Sequence, residues 1–154
     1  MVLIMADDLG YHDLGGYGHP KIKTTVLDRL AKRGVKLTAF YAGATVCTPS
    51  RMALMTGSYP TRLGWSKGVV GHILSTDHGL SPQSVTMAER FKAAGYKTAM
   101  SGKWHLGDRP PFRPHRQGFE RTFYNNKSKK KVIILTIPID AATSCSRSRT
   151  RTGC

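Results

Sequence analysis

The amino-acid sequence predicts an α/β fold, part of a doubly wound sheet with helices packed alongside it. Three observations carry that prediction. Short apolar runs of strand length alternate with amphipathic helical stretches. Each predicted helix is closed by a glycine: Gly34, Gly57 and Gly95. The residues with chemical potential fall just after predicted strands, at the edge where open α/β sheets bind ligands.

Val2 to Met5 is an apolar run suited to a central parallel strand. It ends in Ala6-Asp7-Asp8-Leu9-Gly10. Adjacent carboxylates at the end of a buried strand are costly unless something neutralises them. A divalent cation with oxygen ligands would do so; an exposed acidic turn is the alternative. Tyr11 to Pro20 is a glycine-rich loop over the strand ends, and its His12 and Asp13 are left out of the site. Thr24 or Thr25 caps a helix to about Arg33, with Val26, Leu27, Leu30 and Ala31 on one face. Val35, Leu37 and Ala39 then alternate with Lys36, Thr38 and Phe40 as a strand would. Thr86 caps another helix through Ala94, and Tyr96 to Ser101 reads as a third strand. Arg62-Leu63-Gly64-Trp65 either lines a substrate cleft or is a surface loop with a packed Trp, and His72 lies in the same Gly-, Pro- and Ser-rich stretch, residues 58–82.

The stretch from Val46 to Gly57 is the centre of the chain. Thr48 suits a helix N-cap, Pro49 the first helical position and Gly57 the residue past the end. Cys47 then lies at the mouth of a helix N-terminus, where unpaired N–H groups attract anions. Arg51 adds a fixed positive charge. A nucleophile beside an anion site is what attack on a sulfate or phosphate ester requires. Further on, Lys103 and His105 sit two apart in Gly102-Lys103-Trp104-His105-Leu106-Gly107, a pattern suited to an anionic ester. A plain turn with a packed Trp is the other reading of that hexapeptide.

Cys47-Thr48-Pro49-Ser50-Arg51, with its short helix ending in Thr56-Gly57, resembles the signature of the sulfatases, members of the alkaline-phosphatase-like superfamily. Asp7-Asp8-Leu9-Gly10 resembles their metal-binding strand end, and Gly102 to Gly107 their second signature. The likeness fades after about Tyr124. It implies a partial sheet of the sulfatase fold over residues 1–124, the N-terminal part of a catalytic domain. It also implies that Cys47 is oxidised by a formylglycine-generating enzyme to formylglycine. The hydrate of that aldehyde attacks the sulfur of a sulfate ester, the alcohol leaves, and the second hydroxyl expels sulfate. By motif match Asp7, Asp8 and the modified Cys47 hold Ca²⁺, or Mg²⁺. Arg51 holds the geometry, Lys103 binds sulfate, and His105 binds substrate and orients or deprotonates the hydrate. Substrates would be sulfate-ester small molecules or sulfated glycans. The family's further metal ligands have no matching segment here, which implies an N-terminal fragment with weak or no turnover. Phosphonate or phosphodiester hydrolysis, which the same superfamily also performs, is the alternative activity.

The formal net charge of +15 is unevenly placed. From Arg121 onward eight Lys or Arg face one acid, Asp140. Residues 125–154 therefore read as a basic low-complexity tail, either disordered or translated out of frame. A remnant that attracts nucleic acid through this tail is the non-enzymatic alternative, though a basic tail is more often simply solvated. Cys47, Cys145 and Cys154 do not make a disulfide framework, although Cys145 and Cys154 can pair in an oxidising compartment. The run from Val132 to Ile139 is far short of the roughly 20 residues that span a membrane. The family suggests a secreted, periplasmic or lysosomal setting, and the chain carries no recognisable address.

Overall fold

The structure, a computed structural model, describes residues 1–66, 68–70, 78–124 and 132–136. Its elements in order are β1 (Val2–Ala6), α1 (Thr25–Arg33), α2 (Cys47–Thr56), α3 (Met87–Ala93), β2 (Ala99–Gly102), β3 (Arg121–Tyr124) and β4 (Val132–Thr136), with short 3-10 turns between them. Four strands form one sheet in the order β1-β4-β2-β3. β2 and β3 run parallel, with Ala99 opposite Arg121 and Gly102 opposite Tyr124. β4 is antiparallel to both of its neighbours, pairing Leu135 with Leu3 on one side and with Met100 on the other. β1 and β2 therefore point the same way, and the loops that follow them leave from the same edge of the sheet.

β1, α1 and α3 occupy the residues the patterns assign them, but β1 is not the central parallel strand expected: it is an edge strand of the described sheet, paired antiparallel with β4, with Val2 and Ile4 exposed. Thr86 forms a full capping box with Glu89 at the start of α3, and Gly95 follows the helix at φ +86°. Thr24 holds the N-cap position of α1, but its hydroxyl donates to Asp28 Oδ1 (2.8 Å) and accepts from Gly15 N (2.9 Å). It thus ties the glycine-rich loop to the helix. Asp13 closes its own turn by accepting from Gly10 N at 2.7 Å.

Two local expectations are corrected. Residues 35–40 alternate like a strand but form none. No described strand lies beside them, and their backbone is held by side chains. Tyr17 and Tyr11 donate to the carbonyls of Leu37 (2.9 Å) and Phe40 (2.7 Å). The second correction is that α2 begins earlier than its Thr-Pro pair suggests. Val46 is the N-cap, Cys47 the first helical residue and Pro49 the third. Proline is tolerated there because the first N–H groups of a helix lack intrahelical partners anyway. Gly57 ends the helix as expected, at φ +67°, donating to Ala53 O.

β4 falls inside the stretch that reads as a basic tail, and its pairing depends on strands far away in sequence. The rest of that stretch, 125–131 and 137–154, lies outside the described residues, as do His72, Cys145 and Cys154.

The core gathers Met52 and Met55 of α2, Ala88 of α3, Met100 of β2, and Trp65, Leu80, Trp104, Leu106 and Phe119 from the loops. Trp104 donates to Phe112 O (2.8 Å) and meets Phe119 edge-on. Trp65 is the packed Trp of the two readings given above: it is buried, and its indole donates to Gly68 O at 3.0 Å. On the other side of α2, an open apolar cleft of about 600 Å³ runs between β1 and the helix, lined by Leu3, Met5, Phe40, Ala53, Leu54 and Tyr59.

Gly118 lets the segment leading to β3 pass close over α3. Its φ is +94°, and a Cβ there would stand 2.4 Å from the backbone N of Glu89. Gly118→Ala is expected to lower stability by about 1–3 kcal/mol, read as a lower urea midpoint. An unchanged midpoint would show that this contact yields easily.

Candidate active site

The loop after β1, the start of α2 and the loop after β2 meet through one carboxylate. Asp7 Oδ1 accepts from Arg51 Nη2 at 2.8 Å, and Asp7 Oδ2 from Lys103 Nζ at 2.8 Å. Arg51 Nη1 also donates to the Lys103 carbonyl at 3.0 Å. Arg51 is 1% exposed, so its charge would be costly without such partners. Its Nε is buried and finds no hydrogen-bond partner among the described residues.

Burial raises the Asp7 carboxyl pKa. Hydrogen bonds from Lys103 and Arg51, with their charges, outweigh burial and leave Asp7 below its ordinary value. Asp8 is exposed and held at φ +59°, a conformation that L residues seldom adopt. The chain therefore turns sharply where the carboxylates leave β1, so neighbouring residues play different parts: Asp7 pairs with the cations, and Asp8 faces outward.

Cys47 is a free, half-buried thiol at the first position of α2. Arg51 lies four residues later, one turn along the same face. Thr48, fully buried beside the cysteine, donates its hydroxyl to His105 O (2.9 Å) and accepts from Val70 N (3.1 Å). His105 is the second non-glycine residue at positive φ, +61°. Burial lowers its pKa first and the Lys103 charge adds to this, against an opposing hydrogen bond to the Val70 backbone and the Asp7 charge. The imidazole is thus biased neutral, the form that can accept a proton.

Asp7, Arg51 and Lys103 are brought into contact. Cys47 and His105 are joined to them through α2 and through the hydrogen bonds of Thr48. Residue patterns missed the part played by Thr48 and Val70; a threonine beside a proline reads as a cap, and its actual partner lies 57 residues away. Among the described residues, no group of three or more His, Cys, Asp or Glu is placed to hold a metal ion. Both Asp7 oxygens are taken by cations. These residues alone therefore do not make a complete divalent-cation site.

Asp7→Asn is expected to lower stability at neutral pH by about 3 kcal/mol, because it leaves a buried guanidinium without its counter-charge. The native carboxyl titrates below its unfolded value, so its contribution is complete above the ordinary carboxylate range. It is lost as pH falls through that range toward the lower native value. Urea titrations across acid pH should show this loss in the parent chain and a flatter acid limb in Asp7→Asn. Parallel limbs would contradict the pairing.

Comparison with known proteins identifies the family. A family model described as Sulfatase matches residues 1–133. The chain is 52% identical over 123 residues to human arylsulfatase A, covering 79% of this chain and 24% of that protein. It is 56% identical over 109 residues to mouse steryl-sulfatase, covering 69% of this chain and 18% of that one. The crystal structure of Ps i-CgsB in complex with k-i-k-neocarrahexaose superposes with a TM-score of 0.73 at 35% identity, covering 78% of this chain and 26% of that one. The chain thus spans about a quarter or less of the length of these relatives. With a Sulfatase family model over residues 1–133 and relatives at 52% and 56% identity, the chain belongs to the sulfatases, with their alkaline-phosphatase-like α/β fold.

Proposed function

We propose that this chain carries the nucleophile-bearing part of a sulfuric ester hydrolase acting on sulfate esters of small molecules or glycans. The observation that supports this reading most strongly is the coupling of α2 to both neighbouring loops. The helix that begins with Cys47 is bound through Arg51 to Asp7 and Lys103, and through Thr48 to His105. A formylglycine formed from Cys47 by a formylglycine-generating enzyme supplies a hydrated aldehyde, a nucleophile directed at sulfur. Arg51 fixes the turn of helix beneath position 47. Lys103 presents an ammonium to the sulfate oxygens and to the charge that grows on them. His105, biased neutral, accepts a proton from the group at position 47.

Asp7 and Asp8 contribute carboxylates to a divalent-cation site, with Ca²⁺ preferred and Mg²⁺ the alternative. The remaining donors would have to come from outside the described residues, since calcium takes about 6–8 oxygens. The sulfatase setting also favours a secreted, periplasmic or lysosomal location.

The test has two parts. The chain is co-expressed with a formylglycine-generating enzyme, and the peptide bearing Cys47 is read by mass spectrometry; thiol-to-aldehyde conversion is expected. Residues 1–124 are then placed in human arylsulfatase A in exchange for the matching segment. The chimera should hydrolyse an aryl sulfate, and its Cys47→Ala form should fall to background. A chimera that converts Cys47 but prefers a phosphonate diester to the paired sulfate would transfer the assignment to phosphonate and phosphodiester hydrolysis. One that folds and hydrolyses neither ester would contradict the proposal.

A further inference from the structure

The strand-end aspartates read as ligands for a divalent ion, yet Asp7 is already occupied. Its two oxygens each accept from a side-chain cation at 2.8 Å, Oδ1 from Arg51 and Oδ2 from Lys103. The formal charges of Asp7, Asp8, Arg51 and Lys103 cancel. An ion bound to Oδ2 at the ~2.3–2.6 Å of calcium would stand within about 5 Å of the Lys103 ammonium. Like charges that close repel strongly where water is partly excluded.

The two cations are not equally fixed. The Arg51 side chain is 2% exposed and also donates Nη1 to the Lys103 carbonyl at 3.0 Å. Leaving Asp7 would strand its guanidinium in the interior. The Lys103 side chain is 17% exposed. Its ammonium is a compact charge on a flexible stem, and water accepts it readily. Of the two, Lys103 is the one able to leave.

We propose that Lys103 occupies Asp7 in place of a divalent ion, and that the ammonium and the ion exclude one another there. Arg51 keeps Oδ1 in both states, so α2 stays fastened to β1 while Oδ2 changes partner. On Asp7, the Lys103 ammonium is committed to a carboxylate. Off it, the ammonium is available to an anion. By linkage, an anion that draws Lys103 away favours the divalent ion by the same factor that the ion favours the anion. The exclusion deepens the sulfatase reading and takes its meaning from it, since Lys103 is there the group offered to sulfate; the exchange itself is measured without turnover.

In the test, the 154-residue chain is methylated with formaldehyde and a borane reductant. The modification of each lysine is read by mass spectrometry as Ca²⁺ is raised through the ~10⁻⁴–10⁻³ M of weak calcium modules. Lys103 should be protected at first and become several-fold more reactive as calcium binds. Lys92 and Lys97, both exposed, are the internal references and should not respond. Calorimetry with Ca²⁺ alone should show Lys103→Met binding at least ~10-fold tighter than the parent, because a like charge is gone from Asp7. Lys103→Arg should gain nothing. Lys36→Met removes a cation bonded to Gly16 O instead, and should leave the affinity unchanged. Lys103 still protected while calorimetry shows calcium bound would overturn the proposal, because ion and ammonium would then share Asp7. Equal calcium affinity in the parent and Lys103→Met, or none in either, would overturn it as well. The exchange observed in a chain whose arylsulfatase chimera hydrolyses no ester would uphold the exclusion and refute the function. An active chimera with no difference between the parent and Lys103→Met would do the reverse.

Discussion

The Asp7 carboxylate is divided between two cations supplied by elements far apart in the chain. One oxygen goes to a guanidinium 44 residues away, and the other to an ammonium 96 residues away. The carboxylate is the point at which β1, α2 and the loop after β2 become one structure. The energetics are one-sided. A buried ion pair adds little net stability over a well-packed apolar core, but removing one partner leaves a buried charge uncompensated. Such a contact therefore specifies an arrangement more than it stabilises one. What it specifies here is the height and rotation of α2, and with them the position of Cys47.

The helix also has two dissimilar sides. Met52 and Met55 are buried in the core with Trp104 and Leu106, while Ala53 and Leu54 line the open apolar cleft beside β1. The cleft is lined mostly by apolar groups, and Cys47, Lys103 and His105 are not among its lining residues. The chemistry lies instead at the N-terminal mouth of α2, where the loops from both parallel-directed strands arrive. An open α/β sheet is expected to place reactive groups at that edge. The positive φ values at Asp8 and His105 show backbone strain held at that same edge.

Much of this was legible in the sequence where the cause is local. The apolar run of β1, the amphipathic pattern of α1, the Thr86–Glu89 capping box and the glycine after α2 are each decided within a few residues. The aspartate pair, Cys47, Arg51, Lys103 and His105 could be picked out singly, and the order of the signatures grouped them. The failures were non-local. Residues 35–40 have the alternation of a strand, but alternation cannot supply a neighbour to pair with. Val132–Thr136 belongs to the stretch read as a basic low-complexity tail, and its pairing with β1 and β2 makes it a strand. Thr48 carries the marks of a helix cap, yet its hydroxyl is used by segments that no local pattern could bring near.

The most direct test of the account is the coupling between Asp7 and Arg51, measured as a double-mutant cycle with Asp7→Asn, Arg51→Met and the pair, by urea denaturation at neutral pH. If one carboxylate fastens α2 to β1, the two losses overlap, and the interaction energy should exceed the ~1 kcal/mol ceiling of exposed ion pairs. Additive losses, agreeing within about 0.5 kcal/mol, would mean that the helix is positioned by packing alone and that the ion triad does not organise the site.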